Sequence, residues 1–148
     1  MYGAVEFYRA CMEEGVKPII GCEVYVASGS RFDKTVYADG KGKYNHLVLL
    51  CKNDIGYRNL IYMVSRSFTE GFYSKPRIDL ELLRSHSEGL IALSGCLAGR
   101  IPSLLLAGEY NSAVEYAKEL SDIFGKDNFY IEIYLEKIIF ILKYKITV

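Results

Sequence analysis

The sequence has 148 residues, of which 51% are apolar and 24% charged, a composition typical of a globular domain rather than a disordered chain. Its 18 basic residues balance its 18 acidic ones, so the whole chain lacks the positive charge excess of a general nucleic-acid-binding protein. The four cysteines contain no C-x-x-C pair, and their spacing indicates neither a zinc knuckle nor a dithiol redox motif.

The N-terminus shows no charged segment followed by an apolar run, as a secretory signal would require. The apolar tract at residues 138–142 is far too short to cross a bilayer. We therefore predict a cytoplasmic protein without membrane contact. A helix is already under way at the first residues, with no cap before it, and we interpret the chain as beginning inside a domain. Its apolar positions at helical spacing are Val5, Tyr8, Cys11 and Met12.

Residues 17–27 (KPIIGCEVYVA) predict a strand packed on both faces, because apolar and β-branched residues dominate it. Glu23 lies in its middle. An ionised carboxylate costs several kcal/mol to bury unless a cation, a metal or hydrogen-bond donors meet it. We therefore expect Glu23 to be buried and to have a specific partner.

The next strand, residues 44–51 (YNHLVLLC), contains His46. The segment between the two strands is polar, has no helical period and is expected to be a surface loop. Without a crossover helix, an antiparallel pair is the simpler connection. In that pair Glu23 and His46 come to the same end.

A helix is predicted after Asn53 or Asp54, either of which can cap it. Its expected apolar stripe consists of Tyr57, Leu60, Ile61 and Val64. The loop at residues 69–79 interleaves Phe72 and Tyr73 with two cations. This pattern makes Lys75 and Arg77 candidate phosphate contacts, although a solvated loop is the commoner arrangement.

The segment Gly89 to Leu93 predicts a buried strand ending at Ser94, Gly95 and Cys96, the kind of strand end where α/β folds place their chemistry. A short helix at residues 80–84 precedes it. A helical region at residues 101–124, interrupted at Gly108, and a last strand at residues 129–133 follow it. Helices alternating with short strands indicate an α/β layer or barrel.

Glu23, His46 and Cys96 together offer the ligand types of a transition-metal site. The alternative is three unrelated features: a carboxylate reaching water, a core imidazole and a thiol packed as a small apolar group. A third interpretation makes Cys96 a low-pKa nucleophile. It has little support, because the other histidine, His86, lies in a polar loop.

Seven segments carry a family resemblance: MYGAVEFYRAC, GVKPIIGCEVYVA, HLVLLCKN, GYRNL, EGFYSKPRID, EGLIALSGCLAG and DIFGKDNFYIE. In this order they resemble the PHP (polymerase and histidinol phosphatase) domain of bacterial DNA polymerase III alpha subunits. The resemblance implies a distorted α/β barrel of seven strands with a metal-binding pocket. We therefore predict a partial (α/β)7 PHP-type barrel, truncated at both ends, over residues 1–133. Residues 134–148 differ in composition, and we interpret them as a divergent tail that comes from a shifted reading frame or from a misassigned terminus.

By match to the family motifs, Glu23, His46 and Cys96 are the metal-ligand positions, with zinc or manganese as the ion. The resemblance implies further ligands in a His-x-His strand and a strand ending in Asp-His, both before residue 1, and in an Asp-x-His pair after residue 133. None of these is in this sequence. The site is therefore predicted to be incomplete, and the fragment alone to be hydrolytically inactive.

The resemblance also implies the function of the parent protein, DNA-directed DNA synthesis in chromosome replication, with magnesium at the polymerase site. Some members use the PHP pocket for a metal-dependent 3′-5′ exonuclease. The implied partners are DNA and other replicase subunits, including the proofreading subunit. The alternatives are a stand-alone PHP-type phosphoesterase and a non-catalytic scaffold domain.

Overall fold

The computed structural model describes residues 2–35 and 44–133, so the tail predicted for residues 134–148 lies outside the described part. The described residues form a mixed α/β fold, as predicted. No helix among them combines the length and apolar character needed to span a membrane. The helices are α1 (Ala4–Glu13), α2 (Asp54–Thr69), α3 (Leu80–His86), α4 (Arg100–Leu106) and α5 (Tyr110–Phe124), and the strands are β1 (Gly21–Ala27), β2 (Tyr44–Cys51), β3 (Arg77–Ile78), β4 (Leu90–Leu93) and β5 (Phe129–Tyr130).

These strands form one sheet in the order β3-β1-β2-β4-β5. The central β1–β2 pair is antiparallel, which confirms the prediction made from the polar connecting segment. Strand β4 pairs antiparallel with β2, whereas the two-residue edge strands β3 and β5 pair parallel with β1 and β4. The sheet is therefore mixed, with its longest strands at the centre.

One face of the sheet forms the core. Alternate residues of the central strands point toward α2, α3 and α5, and the side chains of Leu49, Leu60 and Leu120 are fully buried between these layers. The opposite face carries Glu23, Tyr25, Tyr44 and His46, because successive side chains of a strand point to opposite faces.

The expectation that Glu23 is buried is wrong, since 45% of its side chain is exposed. Among the described residues, elements pack on only one face of β1, and antiparallel sheets commonly leave one face to solvent. The apolar run in β1 led to the prediction that both of its faces are covered. The run alone does not show whether helices pack on one face of the sheet or on both.

The buried stripe of α2 also differs from the prediction. It consists of Gly56, Leu60, Met63 and Ser67, and Ile61 is 42% exposed. Helix α2 therefore turns a different side toward the core than the one predicted. Gly56 lies on that side and packs directly on the backbone of Gly89. A Cβ atom at position 56 would lie 1.8 Å from the Gly89 carbonyl oxygen. Helix α1 forms as predicted, and none of its residues is buried in the described part.

The segment after β1 was expected to lie on the surface, but its residue Arg31 is buried and holds the segment in place. Arg31 donates from its backbone N–H to Asp79 Oδ2 at 2.8 Å and from its guanidinium to Asp79 Oδ1 at 3.0 Å. Its Nε donates to Glu70 Oε2 at 2.7 Å. Asp79 in turn accepts the Leu82 N–H as the N-cap of α3. One ionic cluster thus joins the β1 segment to α2 and α3.

Candidate metal centre

Three side chains that are far apart in the sequence meet on the solvent-facing side of the sheet. His46 Nδ1 lies 3.1 Å from Glu23 Oε1 and 3.9 Å from Cys96 Sγ. One ligand atom from each residue lies within 4.8 Å of the other two. The structure therefore brings together all three residues that the sequence suggested as metal ligands.

Strand register explains why Glu23 and His46 meet. His46 pairs directly with Tyr25, so Glu23, two residues earlier on β1, is its diagonal neighbour on the same face. The His46 backbone N–H donates to Ala98 O at 3.0 Å, which ties β2 to the turn that follows β4. The same pairing that forms the sheet therefore places the imidazole beside both the carboxylate and the thiol turn.

The turn after β4 directs Cys96 toward His46. Gly95 has φ +80°, and a Cβ atom there would lie 3.0 Å from the His46 carbonyl oxygen. A side chain at this position would therefore be both strained and crowded. The turn closes when the Gly99 N–H donates to Cys96 O at 2.8 Å. A compact turn of this kind gives the thiol little freedom of direction.

Two tyrosine rings surround the imidazole. Tyr25 lies edge-on to His46 with ring centroids 5.2 Å apart, and Tyr44 is stacked nearly parallel to it at 6.3 Å. The two tyrosines also contact each other, at 4.8 Å. These contacts restrict rotation of the His46 ring, which keeps Nδ1 facing Glu23 and Cys96.

The three ligand atoms fit the size of one metal ion. Ligand atoms bound to a tetrahedral zinc ion at its usual N, O and S distances lie roughly 3.3–3.8 Å from each other. The observed 3.1 and 3.9 Å separations from His46 Nδ1 lie just below and just above this range, and the Glu23 and Cys96 ligand atoms lie within 4.8 Å of each other. A carboxylate, an imidazole and a thiol are also a donor set suited to zinc. The residues present therefore fit one divalent ion.

The two candidate phosphate contacts differ in their surroundings. Lys75 is exposed, and its Nζ lies 5.5 Å from the centroid of the Tyr25 ring, on the face of the sheet that carries the cluster. Arg77 is only 3% exposed, because it lies in β3. Its guanidinium donates to the carbonyls of Gly71, Arg31 and Asp33 at 3.0, 3.1 and 2.7 Å. These contacts argue against the suggested phosphate role of Arg77, whereas Lys75 keeps an accessible cation.

Sequence reasoning missed Glu132, which contacts the turn that carries Cys96. Its carboxylate Oε2 accepts the Gly95 N–H at 2.7 Å, and its own N–H donates to Ser94 Oγ at 2.9 Å. The available signal was a carboxylate inside the apolar segment predicted as the last strand. His86, in contrast, stacks on Tyr62 at 4.3 Å and is not one of the three clustered residues.

Comparison with known proteins identifies the family of this chain. The family model of the PHP domain matches residues 1–134, and the chain belongs to this family. DNA polymerase III subunit alpha of Treponema pallidum is 51% identical over 133 residues, and that of Thermus aquaticus is 52% identical over 133 residues. Both matches cover 90% of this chain and 11% of the relative. The chain therefore spans about a ninth of the length of the curated relatives it matches.

Proposed function

We propose that this chain is part of the PHP domain of a bacterial DNA polymerase III alpha subunit and that Glu23, His46 and Cys96 bind one divalent metal ion there. The convergence of the three ligand atoms within 4.8 Å carries the metal assignment. The kinship rests on 51–52% identity to two alpha subunits over 90% of the chain. Zinc is favoured over manganese or magnesium, because thiolate and imidazole are poor ligands for these harder ions.

We further propose that the described sheet belongs to a distorted (α/β)7 barrel. Its edge strands β3 and β5 each pair on one side only within the described residues, so their other sides can pair with further strands. In the parent protein we assign DNA-directed DNA synthesis in the cytoplasm, with DNA and other replicase subunits, including the proofreading subunit, as partners. This assignment rests on the names of the relatives and the family resemblance.

The residues of this chain contribute binding and orientation at the metal centre. His46 must present an unprotonated Nδ1 to the ion, and the Tyr25 and Tyr44 rings hold it in that direction. A bound ion would supply Lewis-acid polarisation of a phosphoryl oxygen. We expect Lys75, whose Nζ lies 5.5 Å from the Tyr25 ring centroid, to contact a neighbouring phosphate. With three ligands we expect metal binding but no hydrolysis by this chain alone.

Cobalt binding by the complete chain tests this proposal, because a thiolate ligand gives Co²⁺ a charge-transfer absorption band that reports Cys96 directly. We expect His46→Ala and Cys96→Ser each to weaken binding at least about 100-fold, since each removes one of the three ligands proposed among the described residues. Cys96→Ser should also abolish the band. Glu23→Gln should weaken binding while leaving the band.

Two matched substitutions serve as controls, His86→Ala for the histidine and Cys11→Ser for the cysteine. Neither residue belongs to the cluster, so both variants should bind cobalt as the unaltered chain does. Absence of cobalt binding by the unaltered chain, or equal loss in the His86→Ala control, would refute the metal assignment.

A further inference from the structure

Glu132 continues the pairing of β4 with β5 into the turn at Cys96. The Ala92 N–H donates to Asn128 O at 2.8 Å, and the Ser94 N–H donates to Tyr130 O at 3.0 Å. Beyond Ser94 the chain leaves the sheet, because Gly95 has φ +80°. At this point Glu132 makes the two hydrogen bonds to Ser94 and Gly95, one from its backbone and one with its carboxylate.

These two hydrogen bonds hold the pair of residues that directly precedes Cys96. Ser94 is 3% exposed, so its hydroxyl oxygen is shielded from solvent and needs a partner within the protein. The Glu132 N–H donates to this oxygen. The Gly95 N–H donates to a carboxylate, and hydrogen bonds to an ionised acceptor are about twice as strong as neutral ones. Glycine is the residue with the greatest backbone freedom, so this anchor removes conformations that the turn would otherwise sample.

We propose that Glu132 is a positioning residue of the metal centre: it fixes the Ser94–Gly95 backbone so that the Cys96 thiol stays directed at His46 Nδ1. This inference rests on the proposed function, since it assigns Glu132 to the same metal site. Metal centres need their ligands held within a fraction of an ångström, and second-layer hydrogen bonds supply that precision. Among the described residues, the group of clustered ligand atoms comprises Glu23, His46 and Cys96 but not Glu132.

Two conservative substitutions of Glu132 distinguish the effect of its hydrogen bond to Gly95 from the effect of its charge. Glu132→Gln keeps the length of the side chain and an oxygen acceptor for the Gly95 N–H, but it removes the charge. Glu132→Asp keeps the charge, but it is one methylene too short to reach the same N–H. A positioning role therefore predicts that Gln shows only a small loss, because its hydrogen bond to the Gly95 N–H is neutral, and that Asp behaves like Glu132→Ala. Glu6→Ala, on the exposed face of α1, is the control for loss of a carboxylate.

Cobalt affinity, the thiolate-to-cobalt band and amide hydrogen exchange at Gly95 are measured on the complete chain. We expect Glu132→Ala and Glu132→Asp to weaken cobalt binding about 10–100-fold, as removal of second-layer partners does in other metal sites. The band should weaken and the Gly95 amide should exchange faster, while exchange at Ala92 stays unchanged. If Glu132→Ala does not fold by circular dichroism, the Asp and Gln variants carry the test.

The outcomes distinguish the two proposals. If the unaltered chain binds no cobalt, the metal assignment fails, and the role of Glu132 fails with it. If the unaltered chain binds cobalt through a thiolate and Glu132→Asp binds it equally well, only the positioning role is overturned. If Glu132→Gln is as weak as Glu132→Ala while its Gly95 amide stays protected, Glu132 is a direct ligand, and the positioning role is again overturned.

Discussion

Glu23 and His46 lie on neighbouring antiparallel strands, two residues out of register, and their side chains meet at 3.1 Å. The contact involves the same imidazole nitrogen, Nδ1, that faces the Cys96 thiol at 3.9 Å. One nitrogen therefore lies at the centre of the cluster. A metal ion bound there would replace the direct contact between His46 and Glu23.

Zinc is expected to stabilise the folded chain because the unfolded chain lacks the assembled site. At a free zinc concentration 100-fold above the Kd, the free energy of unfolding rises by about 2.7 kcal/mol, which corresponds to a Tm increase of roughly 5–10 °C. Scanning calorimetry with zinc and with a chelator measures the difference. His46→Ala should lose it, and an equal Tm increase in that variant would contradict the site.

Gly95→Ala is expected to disturb the metal centre as well as the fold. Its φ of +80° strains any other residue by about 1–2 kcal/mol, and its added Cβ would lie 3.0 Å from His46 O. Gly108→Ala is the matched control, because Gly108 has φ +79° but no atom within 4 Å of an added Cβ. Denaturant unfolding should show a loss of stability for both variants, the larger one in Gly95→Ala because only its Cβ is crowded. Only Gly95→Ala should weaken cobalt binding, and equal binding by both would argue against crowding at the site.

Arg31→Ala is expected to destabilise the fold strongly, because it leaves the Asp79 carboxylate buried without its cation. The Arg31 and Asp79 side chains are 9% and 4% exposed, and breaking a buried pair of this kind costs about 3–5 kcal/mol. Urea unfolding measures the change. Arg58→Ala, an exposed position on α2, should stay within about 0.5 kcal/mol of the unaltered chain. A similarly small effect of Arg31→Ala would show that the cluster contributes little.

Acid is expected to weaken the same cluster through Glu70. The hydrogen bond from Arg31 holds the pKa of the Glu70 carboxyl below its ordinary value of 4.5. A carboxyl with a lowered folded-state pKa stabilises the fold above its unfolded value, and this contribution is lost as the pH falls through the folded-state pKa. Urea unfolding between neutral pH and strongly acidic pH should therefore show a smaller pH-dependent loss in Glu70→Gln. An identical pH profile would refute the coupling.

Alkali is expected to destabilise the fold through Tyr116. Burial, with a smaller contribution from the Glu119 carboxylate, raises the pKa of its phenol to about 12. The unfolded chain ionises near the ordinary value of 10, so the contribution is complete below pH 10 and is lost as the pH rises toward 12. Tyr116→Phe should remove up to about 2 kcal/mol of this pH dependence. Tyr8→Phe, an exposed position on α1, should leave the alkaline profile unchanged.

Local sequence patterns predicted several features that the structure confirms. The polar segment after β1 predicted the antiparallel β1–β2 pair, and the glycine after the GLIAL run predicted the turn at Cys96. Both predictions follow from the residue types within one short segment. Convergence of Glu23 and His46 followed from the strand pair, because register fixes which side chains are neighbours. The position of Cys96 beside His46 also depends on the pairing of β4 with β2, which no local pattern revealed.

Burial could not be predicted in the same way. Glu23 lies on the uncovered face of the sheet, and Arg77 lies inside it, although the sequence suggested the reverse for both. The face on which a strand is covered depends on helices distant in sequence. The role of Glu132 was also beyond local reasoning, because its partners Ser94 and Gly95 lie on another strand.

The sequence by itself determined the helices and every strand except β3, which lies in the segment predicted as a loop. It also determined the pairing of β1 with β2 and the choice of acid, imidazole and thiol as candidate ligands, because these follow from residue type and short-range periodicity. Only the tertiary structure decided that the thiol joins the other two, that Arg77 is buried and that Glu132 anchors the Cys96 turn. These features depend on contacts between distant segments, and the free energy of such contacts is set by the packing of whole layers rather than by any one stretch of residues.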